Sequence, residues 1–265
     1  MNFKNLLNTN LNGTNFDEVE ESRVQQILDL YNKSCRDYSN YMSRMTLPKW
    51  SLRFGEVEDF GDDINHPKYG HLLKKLFNII LDLKPKSILD AGAGGGSNTK
   101  VLYSLFKKNN LKSKFYCVEN NINHYHQILD NFHNNYNMNK PHIKIPETDV
   151  TVYNTPIHKT PLPDNSVELI FSHAVIAHIP YVPAVKTLEK ISQITSKYVL
   201  HIEHKNTDIN IQIHTHREKL NVNFVDYKKI YESLGFKTII SDCVLLNMKM
   251  ESRPQMMCIY LGEKQ

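Results

Sequence analysis

The chain has 265 residues, of which 40% are hydrophobic and 23% are charged, with a formal net charge of +4. Scattered lysines produce this charge, and no run approaches the roughly 20 apolar residues of a membrane span or forms a signal peptide, so we expect a cytoplasmic protein without membrane contact. The four cysteines lie far apart without a CxxC pair, which argues against a zinc knuckle or a disulfide framework.

The first 80 residues are predicted to form a helical extension. From Asp17 to Met42, apolar residues recur at three- and four-residue steps behind an acidic first turn, which predicts a long amphipathic helix. A second helical pattern runs from His71 to Leu81, directly before the first strand. We therefore expect residues 1–80 to form a lid over the active site and residues 81–265 to form the core. Four aromatic side chains are candidate substrate contacts, with packing onto the core as the simpler alternative: Tyr31, Tyr38, Trp50 and Phe54.

A glycine-rich turn follows the first predicted strand, which ends at Ile88 and Leu89. Its glycines give the backbone freedom and leave no Cβ atoms between the main chain and a ligand. Residues 97–99 can cap the helix that follows, so N–H groups would point into the crevice beyond the strand. No Gly-Lys-Ser/Thr ending follows, which argues against a P-loop, and Asp90 before the glycines disfavours a pyrophosphate.

Acidic residues follow the next two predicted strands. Glu119 ends the strand Lys114–Glu119, about thirty residues after Asp90, which is the length of one βαβ step. A carboxylate at this place can accept hydrogen bonds from both ribose hydroxyls of a nucleoside. His142–Ile145 is predicted as the third strand, and Asp149 follows it closely.

The remaining pattern predicts a parallel sheet that ends in a returning hairpin. The predicted elements are strands Val167–Ser172 and Lys197–Glu203, a helix over Asp226–Leu234, and strands Phe236–Leu246 and Gln255–Gly262. A dinucleotide-binding dehydrogenase would instead continue in parallel.

The run Asp90-Ala91-Gly92-Ala93-Gly94-Gly95-Gly96 resembles motif I of the class I S-adenosylmethionine-dependent methyltransferases. The resemblance covers roughly residues 86–264, although Glu168 stands where the family has Asp. It implies an α/β fold with a Rossmann-like, seven-stranded, mostly parallel sheet, an antiparallel last strand and helices on both faces. It also implies S-adenosylmethionine as cofactor, with Asp149 and the backbone of Val150 at the adenine amine. The cofactor-binding candidates are Asp90, Ala91, Gly92, Gly94, Gly96, Asn98, Glu119, Asn120, Asp149, Val150, Ser172 and His173.

Histidines follow the fourth and fifth predicted strands, where ligands bind in open α/β sheets. A histidine can take a proton from an attacking hydroxyl or amine at neutral pH. Our catalytic candidates are His204, His173 and His178, in that order, with Glu203, and an ordinary hydrogen-bonded role is the alternative for each. His201, deeper in its strand, is predicted to be structural. His214, His216 and their neighbours do not match a known zinc spacing, so we predict no metal.

Residues 172–175, Ser-His-Ala-Val, stand where methyltransferases of nucleic-acid bases carry Asn/Asp-Pro-Pro-Tyr/Phe. The place of Cys117 in a predicted buried strand also argues against a cysteine nucleophile. We therefore expect transfer of a methyl group to an oxygen or nitrogen of a small molecule by in-line displacement, without nucleic acid as a partner. The alternatives are a methyltransferase acting on RNA or protein, and a non-catalytic scaffold that binds the cofactor. The oligomeric state is not predicted.

Overall fold

The computed structural model describes residues 70–132, 140–179, 181–205, 226–246 and 255–265. The predicted lid up to residue 69 lies outside these ranges, together with Tyr31, Tyr38, Trp50 and Phe54. No helix within the described ranges is long and apolar enough to cross a membrane.

Helices and strands alternate along the described chain. The helices are α1 (Gly70–Leu83), α2 (Ser97–Lys108), α3 (Ile122–Phe132), α4 (Tyr181–Ile194) and α5 (Tyr227–Ser233), and short 3-10 turns cover Ile157–Lys159 and Ile176–His178. The strands are β1 (Ser87–Ala91), β2 (Lys114–Glu119), β3 (His142–Lys144), β4 (Val150–Asn154), β5 (Val167–His173), β6 (Thr195–Lys205), β7 (Phe236–Leu246) and β8 (Gln255–Lys264).

All eight strands form one sheet in the order β3-β4-β2-β1-β5-β6-β8-β7. The five neighbouring strands β4, β2, β1, β5 and β6 run parallel to one another. β8 lies between β6 and β7 and is antiparallel to both. This confirms the Rossmann-like sheet with a reversed last strand. The sheet has one strand more than the seven predicted, because β3 and β4 are separate strands.

The additional strand corrects the position of Asp149. β3 pairs antiparallel with β4, and the link between them is a tight hairpin in which Ile145 N donates to Val150 O at 2.9 Å. Asp149 and Val150 therefore stand where β4 begins, and Val150 pairs with Phe115 near the start of β2. The prediction was wrong because it treated a hairpin turn as the carboxyl end of a parallel strand.

Helices cover both faces of the sheet, as predicted. One apolar layer packs α1, α2 and α3 against strand residues such as Ile88. The other packs α4 and α5 against strand residues such as Leu89, the next residue along β1. This alternation places successive strand residues in opposite layers. Because α1 packs in the first layer through Leu76 and Phe77, the predicted domain boundary at residue 80 falls inside a helix of the core.

Candidate active site

The glycine turn bends over the end of the neighbouring strand β2. The N–H groups of Gly92 and Ala93 both donate to Val118 O, at 2.8 and 3.1 Å. Gly92 has φ +82°, and a Cβ built there would lie 2.3 Å from Cγ1 of Val175. At Gly94 no atom lies within 4 Å of a built Cβ among the described residues, so this part of the turn borders open space. The turn is packed at Gly92 and accessible to a ligand at Gly94.

Glu119 ties the end of β2 to this turn. Its Oε2 accepts the N–H of Gly94 at 2.9 Å, and its Oε1 accepts the N–H of Asn121 at 2.8 Å. Burial raises the pKa of this carboxyl, and His124 and these backbone donors counteract part of that effect. An ionised carboxylate offers about four acceptor positions, so acceptor capacity remains for a hydroxyl group of a ligand beyond these backbone donors.

Asp90 is buried beneath the turn and contacts the helix behind it. Its Oδ2 accepts the hydroxyl of Thr99 at 2.8 Å, and the thiol of Cys117 donates to the same Thr99 oxygen at 3.3 Å. Burial raises the pKa of Asp90 to about 7; the Thr99 hydrogen bond lowers it, and the charge of Glu119 raises it. Asp90 therefore anchors the first turn of α2.

The raised pKa of Asp90 predicts a pH-dependent stability. The carboxyl ionises in the unfolded chain near 3.8 and in the folded protein only near 7, so its contribution to stability falls as pH rises between these values. The Asp90→Asn variant does not titrate at this position. Relative to it, the free energy of unfolding of the wild type should fall by on the order of 4 kcal/mol between pH 4 and 8. Urea unfolding of both proteins across this range measures the difference. A difference that grows in favour of the wild type with pH would contradict this assignment.

The remaining cofactor candidates are distributed unevenly. Gly96 precedes α2 without a side-chain cap, and Asn98 lies in the first turn of α2 with a buried Oδ1 that has no partner among the described residues. Asn120 is exposed beside Glu119, and Ala91 is buried at the end of β1. Asp149 is exposed and immediately precedes β4, roughly 17 Å of strand from Asn154 at the crevice edge.

Asn154 takes the position that sequence reasoning gave to Asp149. It ends β4, where its Nδ2 donates to Glu119 O at 3.0 Å. The N–H of Thr155 donates to the same carbonyl oxygen at 3.1 Å. The segment that follows β4 is therefore fixed beside Glu119, at the edge of the crevice.

Ser172 and Glu203, predicted as a cofactor contact and a catalytic group, are instead bonded to each other inside the protein. Ser172 Oγ donates to Glu203 Oε1 at 2.6 Å, and both residues are 0% exposed. Burial raises the pKa of Glu203, while the Ser172 hydroxyl and three backbone N–H groups lower it. Full burial and these hydrogen bonds give both residues a role in holding the structure around the site.

His173 ends β5 beside the glycine turn. Its Nε2 is buried without a hydrogen-bond partner among the described residues, and burial lowers the pKa of the ring to about 4. The imidazole is therefore neutral at pH 7, with a free lone pair on one ring nitrogen, and burial makes it a weaker base than an exposed histidine. His178 closes a 3-10 turn and His204 lies in β6, but their side chains lie outside the described part of the structure.

Several residues of the site carry no local sequence signal. Val175 acts through Gly92, which is distant in the sequence, and Asn154 ends β4, a strand that was not predicted. Only a correct assignment of β4 could have identified Asn154, as the polar residue at its carboxyl end.

Comparisons with known proteins agree with this geometry. Residues 89–198 match the family model of the methyltransferase domain. None of the curated proteins matches the chain at a significant level.

Among solved structures, a methyltransferase dependent on S-adenosylmethionine from Leishmania major has a TM-score of 0.57 and 16% identity, covering 84% of this chain and 82% of that one. Magnesium protoporphyrin IX methyltransferase from Synechocystis, solved with bound S-adenosylmethionine, has a TM-score of 0.51 and 9% identity, covering 91% and 96%. A proposed RNA methyltransferase from Pyrococcus horikoshii has a TM-score of 0.50 and 14% identity, covering 74% and 85%.

At these identities the solved structures show a shared fold, and the family model adds a sequence match from β1 into β6. The glycine turn and Glu119 lie within that match, at the carboxyl ends of neighbouring parallel strands. Residues 89–198 thus match a methyltransferase domain in sequence, and the described part of the chain has the fold of S-adenosylmethionine-dependent methyltransferases of known structure.

Proposed function

We propose that the chain transfers the methyl group of S-adenosylmethionine to an oxygen or nitrogen of a small molecule, at the carboxyl edge of β1, β2, β4 and β5. The observation that carries this proposal is the buried, unpartnered Nε2 of His173 at the end of β5. An open crevice edge beside Gly94 supports it, because a cofactor can approach the backbone there.

The proposed cofactor position uses three neighbouring strand ends. The methionine part lies against Gly94 and the uncapped first turn of α2, where N–H groups favour a carboxylate. A ribose hydroxyl donates to Glu119, and the adenine lies beside Asn154 and Thr155. Calorimetry with S-adenosylhomocysteine, the demethylated product, tests this position; wild-type protein that does not bind it would contradict the proposal.

The proposed reaction is an in-line displacement. A lone pair of the acceptor oxygen or nitrogen forms a bond to the methyl carbon, the carbon–sulfur bond breaks, and its electrons neutralise the sulfonium. The protein contributes mainly by holding the reactants in line and excluding water. His173 Nε2 takes the proton that the acceptor releases.

Replacement of His173 separates chemistry from cofactor binding. Because a positioned base contributes about 100- to 10,000-fold, His173→Asn should lower methyl transfer by at least about 100-fold. Affinity for S-adenosylhomocysteine should change by less than about threefold, a small effect on the logarithmic scale of binding free energy. Labelled methyl transfer to a panel of amines, phenols and carboxylates measures the rate.

The matched control is His142→Asn, the same replacement at an exposed residue of the edge strand β3. It should leave both the rate and the affinity unchanged. If His173→Asn retains full rate on every acceptor that the wild type methylates, His173 is not the base.

RNA is the second candidate substrate, because one structural neighbour is a proposed RNA methyltransferase. The same labelled cofactor distinguishes the two candidates: incorporation into RNA, with an affinity that falls steeply as salt is added, would favour RNA. Binding of the cofactor without transfer to any acceptor would favour a scaffold role.

A further inference from the structure

A continuous chain of four side chains crosses the layer between the sheet and α5. The hydroxyl of Tyr231 lies 2.7 Å from His201 Nε2, and His201 Nδ1 lies 2.7 Å from Ser172 Oγ. Ser172 Oγ in turn donates to Glu203 Oε1 at 2.6 Å. Every one of these four residues is fully buried, so water does not compete for their hydrogen bonds.

The geometry allows a single direction for the protons when Glu203 is ionised. Ser172 has one hydroxyl proton and gives it to Glu203, so its oxygen accepts from His201 Nδ1–H. His201 is neutral because burial lowers its pKa to about 3, so Nε2 has no proton and accepts the hydroxyl of Tyr231. Glu203 thus sets the Nδ1–H tautomer of His201 through Ser172, and the Tyr231 hydroxyl donates to the nitrogen that carries no proton.

The other end of the chain holds the loop after β5. Both oxygens of Glu203 accept the N–H of Val175, at 3.1 and 3.0 Å. Oε1 also accepts from Ile176 N at 3.2 Å, and Oε2 accepts from Ala177 N at 3.3 Å. This loop begins with Ala174 at φ 54°, a conformation that L-residues rarely adopt without support.

Val175 connects the loop to the proposed cofactor site. Its Cγ1 occupies the space in which a Cβ of Gly92 would stand. A displacement of the loop would therefore change the packing of the glycine turn. A hydroxyl on α5 is linked in this way, through five hydrogen-bonded or packed contacts, to the backbone that borders the crevice.

We propose that Tyr231, His201, Ser172 and Glu203 form a positioning relay, in which Glu203 takes the Ser172 proton and thereby fixes the His201 tautomer, Tyr231 holds the His201 ring by donating to Nε2, and Glu203 holds residues 175–177 against the glycine turn. None of the four touches a reacting atom in this proposal. The consequence for ligand affinity rests on the proposed cofactor position, whereas the tautomer of His201 does not.

Nitrogen-15 NMR of the His201 ring tests the first half of the relay. The wild type should show the Nδ1–H tautomer with a hydrogen-bonded Nε2. Tyr231→Phe should keep Nδ1–H, because Ser172 still accepts from it, but shift the Nε2 resonance to that of an imidazole nitrogen without a hydrogen bond. The signal is assigned by its loss in His201→Asn. An Nε2–H tautomer in the wild type, or an unchanged Nε2 resonance in Tyr231→Phe, would overturn the relay.

Tyr227→Phe is the matched control. Tyr227 also belongs to α5 and stacks on His201, with ring centroids 5.0 Å apart, but its hydroxyl has no hydrogen-bond partner among the described residues. Removal of that hydroxyl should leave the His201 tautomer and the Nε2 resonance unchanged. The comparison separates the Tyr231 hydrogen bond from the general effect of removing a hydroxyl from this layer.

Calorimetry with S-adenosylhomocysteine tests the second half. Tyr231→Phe should bind about fivefold more weakly than Tyr227→Phe, the equivalent of one neutral hydrogen bond. Glu203→Gln should lose at least about tenfold, because an amide cannot accept all of the backbone donors that the carboxylate accepts.

The outcomes distinguish the two proposals. A changed Nε2 resonance in Tyr231→Phe with an affinity equal to that of Tyr227→Phe would overturn the positioning role. Wild-type protein that does not bind S-adenosylhomocysteine but shows the expected tautomers would instead contradict the proposed cofactor position and support the direction of the protons in the relay.

Discussion

Gly92→Ala is expected to destabilise the folded protein by roughly 2 to 5 kcal/mol, the sum of an overpacking cost and a left-handed backbone cost. The new methyl group would stand 2.3 Å from Cγ1 of Val175, and φ at this position is +82°. The loop that carries Val175 cannot move freely, because Glu203 holds its N–H groups. Urea unfolding followed by circular dichroism measures the loss.

Two variants locate the cause of that loss. Gly94 has φ +54°, but no described atom lies within 4 Å of a Cβ built there. Gly94→Ala should therefore lose only about 1 kcal/mol of stability. The added methyl group should nevertheless obstruct the cofactor. The double variant Gly92→Ala with Val175→Ala should recover part of the stability, because the two clashing atoms are removed. Equal stability of Gly92→Ala and Gly94→Ala would show that the Val175 contact is unimportant.

Glu119→Gln is expected to weaken binding of S-adenosylhomocysteine by about 100-fold, the equivalent of one or two hydrogen bonds to a charged group. The amide keeps one acceptor oxygen, so it cannot accept both backbone N–H groups and a ribose hydroxyl. The folded protein should keep its stability, because an amide is cheaper to bury than a carboxylate whose pKa is already raised by burial. Calorimetry and urea unfolding measure the two quantities separately.

Asp149→Asn is the matched control, the same change from carboxylate to amide in the residue just before β4. Its affinity for S-adenosylhomocysteine should stay within about twofold of wild type, since the side chain is exposed far from the crevice. A loss comparable to that of Glu119→Gln would restore Asp149 to the cofactor site and contradict its position in the hairpin.

The sheet could be predicted from the sequence because its strands carry local signals. The strand pattern ending at Leu89 and the acid at Glu119 each result from short-range chemistry. The β3–β4 hairpin was missed because a three-residue antiparallel strand and the end of a parallel strand give the same apolar pattern. The difference appears only in pairing, as between Ile143 and Val152.

The interior of the site could not be predicted because its hydrogen bonds join distant parts of the chain. Ser172 and Glu203 are 31 residues apart, and His201 and Tyr231 are 30 apart. Their residue types indicated a site, but only the burial of Glu203 shows that its carboxylate holds a loop and does not act on a substrate. By contrast, the shared face of His201 and Glu203 follows from the alternation of β6, because it depends on strand geometry alone.

The Cys117 thiol, which is hydrogen-bonded to Asp90 through the Thr99 hydroxyl, makes local opening of the layer between β2 and α2 measurable. The Cys117 thiol is fully buried and its pKa is raised, so it cannot react as a thiolate until the layer between β2 and α2 opens. The alkylation rate of Cys117, followed by peptide mass spectrometry, therefore reports the frequency of that local opening. A ligand bound at the glycine turn should slow this reaction in proportion to its occupancy, which provides a binding assay that requires no knowledge of the methyl acceptor.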